Sequence, residues 1–216
     1  MTSAPVRSSI WTSDLVPSFL HTLYAQPHRK YHNNAHIERC VQELAGYMDD
    51  NPLDDVSVRE AMLMILFHDA VYDPATQNVG DNEFLSMCLF EGVEQYIDFG
   101  INEQSKQIIS QGIAWSSKHA EKITEKKTDS QKIFLDIDLV GLADDYEAFL
   151  ATGDQIREEY SHVNDNDFMV GRTNFFKALI KRGKLYYTDY YLMKCQDKAV
   201  NNINRWLNEY GTAETK

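Results

Sequence analysis

Ala61-Met62-Leu63-Met64-Ile65-Leu66-Phe67-His68-Asp69 is the stretch on which the fold turns. Its first seven residues are all apolar and do not alternate with polar ones. Ala, Met and Leu are strong helix formers, and a helix apolar on every side must be buried. The stretch therefore predicts a central buried helix, with a short strand as the alternative on periodicity alone. Upstream, Asn33-Asn34 precedes apolar residues at Ile37, Cys40, Val41, Leu44, Tyr47 and Met48, a one-faced helix with an Asn as N-cap. Downstream, Asp73-Pro74 breaks the pattern and Gly80 closes a loop. A helix restarts at Asp81-Asn82-Glu83, with Asp81 as cap, and runs towards Phe99-Gly100. Another covers Glu103 to about Ser117. Lys118 to Ser130 is charged and reads as a loop, and Ile133-Phe134-Leu135 opens the next helix. Long amphipathic segments follow at Asp144 to His162, Asp167 to Arg182 and Thr188 to Tyr210. Strand-like alternation is nearly absent, so the expected fold is all-α. It comprises an N-terminal helical segment over residues 1–30, a main domain over 31–211 and a loose tail over 212–216.

The chain has 216 residues, enough for one good core and short for two full domains. No window approaches the ~18 consecutive apolar residues of a membrane span. Residues 1–7 show no basic segment followed by an apolar run, so no secretory signal is expected. Cys40, Cys88 and Cys195 are scattered without metal-type spacing, which reads as free thiols in a reducing, cytoplasmic setting. The formal charge of −12 disfavours duplex DNA or long RNA as a partner. A small phosphorylated substrate stays compatible, because a bound ion and a few arginines can invert the potential inside one cleft.

The chemistry concentrates in a few polar residues at apolar places. His68-Asp69 terminates the apolar helix, where both groups lose water at a cost unless something pairs with them. A metal ion would do so, and an internal His–Asp or His–carbonyl hydrogen bond is the alternative. His36 opens the preceding helix, one residue before Ile37, and His32 lies before the cap, exposed or in a supporting position. Asp136 and Asp138 stand two apart inside an apolar helix, so the two cannot face the same way. In order, His, His-Asp and Asp on three helices form a mixed nitrogen and oxygen ligand set. It suits Mn, Fe, Co, Ni or Zn as a single divalent ion, with Mg as a further candidate.

That order, His36, His68-Asp69, Asp138, resembles the HD-domain superfamily. The strings YHNNAHI (31–37), LFHDAVYDPATQN (66–78), DNEFLS (81–86), FLDIDLVGL (134–142), IREEY (156–160) and GRTNFFKALI (171–180) resemble its compact subgroup of predicted metal-dependent phosphohydrolases. The likeness runs from about Tyr31 to Tyr210. It implies that His36, His68, Asp69 and Asp138 hold the metal, with Asp138 preferred to Asp136. It implies Glu83 or His119 as the group handling a proton, the alternatives being a helix-start acid and a surface histidine. Arg157 and Arg172 become candidate phosphate contacts, with intrahelical pairing as the alternative, and the histidine pair typical of two-metal members is missing. The implied activity is hydrolysis of a phosphoester or phosphoanhydride in a small molecule, a nucleotide being one candidate. The rival readings are a nucleotide-sensing module with little turnover and an oxygenase with a dinuclear iron centre.

Overall fold

The computed structural model describes residues 17–76, 78–121 and 124–211. Nine α-helices lie among these residues. They are α1 Ser18–Tyr24, α2 Asn34–Asp50, α3 Asp55–Phe67, α4 Asp81–Glu94, α5 Glu103–Ser116, α6 Asp129–Asp138, α7 Tyr146–Glu159, α8 Asp165–Arg182 and α9 Asp189–Tyr210, with a 3₁₀ turn at Val140–Ala143. No strand occurs among the described residues, and the fold is a single all-α domain. No helix among them is long and apolar enough to cross a membrane.

Most of the helices begin where a short polar side chain can take up the free N–H groups of the first turn. The Asn33 side chain accepts from the Ala35 and His36 N–H groups, Asp54 from Ser57, Asn102 from Ser105, Asn164 from Asp167 and Thr188 from Tyr191. Thr128 and Gln131 form a reciprocal capping box that starts α6 at Asp129, before the apolar run that begins at Ile133. α4 departs from expectation at both ends. Its cap is Gly80, in the left-handed conformation at φ 90°, and not Asp81. The Asp81 carboxylate accepts instead from Thr76 Oγ1 and Asn78 Nδ2, closing the preceding loop. The helix also ends at Glu94, short of Phe99: Tyr96 beyond it is 89% exposed, and Phe99 reaches the core from the following turn, against Phe67 and Phe90.

α3 runs through the middle, packed against α2, α5 and α6, which explains why it is apolar all round. Its single buried charge, Glu60, accepts from Ser105 Oγ at 2.7 Å and Ser130 Oγ at 2.6 Å, so one carboxylate ties the starts of α5 and α6 to α3. α9 packs on the 3₁₀ turn and on α8, and α7 packs on the same turn. Of the N-terminal segment, α1 docks on the core through the fully buried Leu20 and Tyr24; residues 1–16 and the expected tail at 212–216 lie outside the described residues.

Candidate metal centre

Three helix ends deliver four side chains to one point. His36 sits in the first turn of α2, fixed there by the Asn33 cap. His68 is the C-cap of α3, followed at once by Asp69, and Asp138 is the last residue of α6. The Nε2 atoms of His36 and His68 face each other at 3.4 Å. Asp138 Oδ1 lies 3.3 Å from the first and 3.4 Å from the second, and Asp69 Oδ2 lies 3.8 Å and 3.0 Å from them. His36, His68 and Asp69 each offer a ligand atom within 4.8 Å of the others, and all three are buried. The donor chemistry fits a divalent ion: two imidazole nitrogens and two carboxylates converge with their lone-pair atoms on a common space. The tautomer fits as well. His68 Nδ1 donates to the Ile65 carbonyl at 2.9 Å, which leaves Nε2 free to ligate.

The groups hold each other's charge. Burial works to keep His68 neutral, but the Asp69 and Asp138 carboxylates outweigh it and lift its pKa well above the ordinary imidazole value. Burial also works to protonate Asp138, yet His68, His119 and His36 hold it well below the usual carboxylate range. Asp69 behaves in the same way, held down by His68 and His32 against burial. Arg29, buried beneath, donates to the carbonyls of His32, Asp69 and Ala70. A cation on the carbonyls beyond the C-terminus of α3 fixes the His-Asp turn and complements the helix dipole.

His119 is buried and close to the centre: its Nε2 contacts Asp138 Oδ2 at 2.7 Å, and its Nδ1 has no hydrogen-bond partner among the described residues. A surface role is thereby excluded. Glu83, in the first turn of α4, is half-buried. Burial raises its carboxyl above the usual range, with Asp69 adding to the rise and His68 and His119 opposing it. Asp136 is also fully buried but points elsewhere, accepting from the Tyr187 N–H, the Thr188 N–H and Thr188 Oγ1 at the start of α9.

Beside the centre opens a cavity of about 620 Å³. Tyr31, His32, His119 and Asp138 line its metal end, and Leu142, Phe149, Ile156, Phe168 and Phe175 line its walls. The two expected arginines part ways here. Arg172 lines this cavity. Arg157 does not: it donates to the Tyr160 and Val163 carbonyls and to Asp165 Oδ1, joining the end of α7 to the start of α8. Its donors thus have partners outside this cavity, which Arg157 does not line.

One functional group escaped the sequence reading. Glu159 accepts from the N–H groups of Lys30, Tyr31 and His32, from Tyr72 Oη at 2.8 Å, and pairs with His32 Nδ1 at 2.7 Å. Burial pushes its carboxyl up, but His32 and those N–H groups hold it down at about 2. His32 responds in kind, raised above its usual value by Asp69, Glu159 and Asp138 against burial. The signal was available: Phe149, Thr152, Ile156 and Glu159 fall on one face of α7, so a carboxylate occupies an apolar-face position. Compared with models of protein families, with curated proteins and with solved structures, the chain finds no match.

Proposed function

We propose that the chain is a metal-dependent phosphohydrolase acting on a phosphoester or phosphoanhydride bond of a small molecule, on an HD-type site. The observation that carries this reading is the convergence of His36, His68, Asp69 and Asp138 from three helix ends beside an open cavity. A bound divalent ion, Mn, Fe, Co, Ni or Zn with Mg as a further candidate, would polarise a phosphoryl oxygen and acidify a water.

The chain's own groups supply the proton traffic. Glu83, whose carboxyl burial raises above the usual range, is the candidate to take a proton from the attacking water. His32, held through Nδ1 by Glu159, has its second ring nitrogen left to donate a proton to the leaving oxygen from the cavity wall. His119 orients Asp138 through Nε2 and keeps an unpartnered Nδ1 as a second candidate for the proton. The net charge of −12 supports a small substrate over duplex nucleic acid, and the free thiols Cys40, Cys88 and Cys195 support a reducing cytoplasm.

The test is elemental analysis of the purified protein and of His68→Ala, followed by phosphate release from a panel of phosphorylated metabolites. The expected result is a stoichiometric divalent ion and phosphate release in the parent chain, and neither in the variant. Full metal occupancy in His68→Ala, or a loaded protein inert across the panel, would remove the reading.

A further inference from the structure

His119 reaches the centre from a turn and not from a helix. α5 ends at Ser116, and His119 follows in the turn over residues 117–120. The backbone bonds of that turn are local: the Lys118 N–H donates to the Trp115 carbonyl and the Glu121 N–H to the Lys118 carbonyl, each at 2.9 Å. Such bonds set the shape of the turn but not its place against α6. Yet the His119 ring is buried, with Nε2 at 2.7 Å from Asp138 Oδ2. That contact occupies one oxygen of Asp138 and leaves Oδ1 to face His36 and His68.

The missing restraint comes from Arg182, the last residue of α8. Its Nη1 donates to the His119 carbonyl at 2.5 Å, its Nη2 to the Leu185 carbonyl and its Nε to the Lys184 carbonyl at 3.0 Å. The guanidinium also lies over the Tyr187 ring, 5.4 Å from its centroid. Two of these carbonyls belong to the turn that follows α8, where a cation at a helix C-terminus ordinarily donates. The third belongs to a residue 63 positions earlier, which no helix cap requires.

The turn after α8 is in turn fastened to α6. The Tyr187 N–H, the Thr188 N–H and Thr188 Oγ1 donate to Asp136, and Tyr186 Oη donates to the Leu139 carbonyl at 3.1 Å. Asp136 and Leu139 flank Asp138, so the contacts close a ring. α6 holds the turn, Arg182 carries that frame to the His119 carbonyl, and the His119 ring returns to α6 at Asp138. A planar fork of donors can hold three carbonyls at once, which a single ammonium cannot.

We infer that Arg182 is a positioning residue of the metal centre, holding His119 against Asp138 and so fixing which carboxylate oxygen faces the ion. This rests on the metal-centre reading of Asp138 and goes beyond it by extending the centre to the end of α8. An arginine that only capped α8 would add stability and leave metal affinity alone.

The test is a double-mutant cycle on Co²⁺ affinity, measured by calorimetric titration of the full chain. Groups that orient a metal ligand typically cost 10–100-fold in affinity when removed, so His119→Ala weakens Co²⁺ by about that factor. Arg182→Met leaves the ring present but unheld, and weakens Co²⁺ by roughly tenfold, the low end of the same range. The double variant binds no more weakly than His119→Ala, because Arg182 acts through His119. Arg182→Lys recovers only part of the loss. Arg157→Met is the control for plain destabilisation: Arg157 also ties a helix end to carbonyls, and its loss lowers the melting temperature without weakening Co²⁺. Should Arg182→Met fail to fold, Arg182→Lys completes the cycle. Parent-like affinity in the folded Arg182 variants would overturn the inference. So would a double variant whose loss is the product of the two single losses, or an equal weakening in Arg157→Met. A parent chain that takes up no Co²⁺ would instead bring down the metal-centre reading, and the inference with it.

Discussion

Two carboxylates two residues apart, Asp136 and Asp138, have opposite duties. Asp138 ends α6 with Oδ1 within 3.4 Å of the His36 and His68 imidazoles. Asp136 accepts three hydrogen bonds at the start of α9, between 2.7 and 2.8 Å. Asp138→Asn should therefore strip the metal and also lower the melting temperature of the metal-free protein, because it removes a carboxylate that pairs with His68 and His119. Asp136→Asn should keep the metal and cost roughly 1–3 kcal/mol of stability, since one oxygen still accepts but the charge is gone. Metal content and chemical denaturation of the two variants check this, and the reverse ranking would mean that the ligand is Asp136. Spacing alone said only that the two acids part; the resemblance chose between them, and the Asp136 contacts give the physical reason. Glu159 supports a pH prediction. Its carboxyl is held at about 2, below its ordinary 4.5, so the stability it contributes is present above that ordinary value and is lost as pH falls from there towards 2. A shift of that size is worth about 3 kcal/mol for so buried a group. Glu159→Gln should lose that contribution near neutrality and show a flatter acid limb across the window, measured by denaturation against pH. A slope matching the parent's would deny Glu159 this role.

Two glycines inside helices make opposite predictions, and the difference lies in what surrounds each helix. A Cβ on Gly112 in α5 would come within 2.1 Å of Met64 Sδ, in the core of the α3–α5 contact. Met64 is fully buried and has little room to yield, so Gly112→Ala should cost about 1–3 kcal/mol by overpacking. A Cβ on Gly153 in α7 would meet nothing within 4 Å. Gly153→Ala should then stabilise the protein by roughly 0.5–1 kcal/mol, the helix-propensity difference. Equal signs in denaturant titrations of the two variants would show that the α3–α5 approach does not require a glycine. Neither outcome was readable from sequence, because both glycines sit in helix-compatible patterns and only packing separates them. What was legible at this scale was the start of a helix with a polar cap before an apolar stripe, as at Asn33. What was not legible was the end of α4: Tyr96 continues the apolar pattern but stands 89% exposed. The early start of α6 was hidden differently, since Thr128 and Gln131 form a capping box inside a stretch whose charge suggested a loop.

At the scale of the whole molecule, the centre is a clasp between segments distant in sequence: the start of α2, the end of α3 and the end of α6. The sequence singled out the four residues that converge here, but not that Arg29 and Glu159 brace the clasp, because neither sits in a ligand pattern and both act mainly through backbone groups. An ion that binds the folded clasp and not the unfolded chain stabilises by mass action, ~2.7 kcal/mol at about 100 times Kd and ~4.1 kcal/mol at about 1,000 times Kd. For a chain of this length that is a rise of roughly 5–15 °C in melting temperature. The metal-free protein should nevertheless stay folded at neutral pH, because a protonated His68 can pair with Asp69 and Asp138 in place of the ion. Chelation should therefore lower the melting temperature by that amount with little change in helical circular dichroism, and adding the ion back should restore it in proportion to the logarithm of its free concentration. His68→Ala should melt at one temperature with or without the ion. An exposed acidic surface collecting cations predicts something else: the same small rise in parent and variant, abolished by moderate salt. A thermal melt series over free metal concentration, in low and moderate salt, decides between the two. An equal, salt-sensitive shift in both proteins would dissolve the clasp.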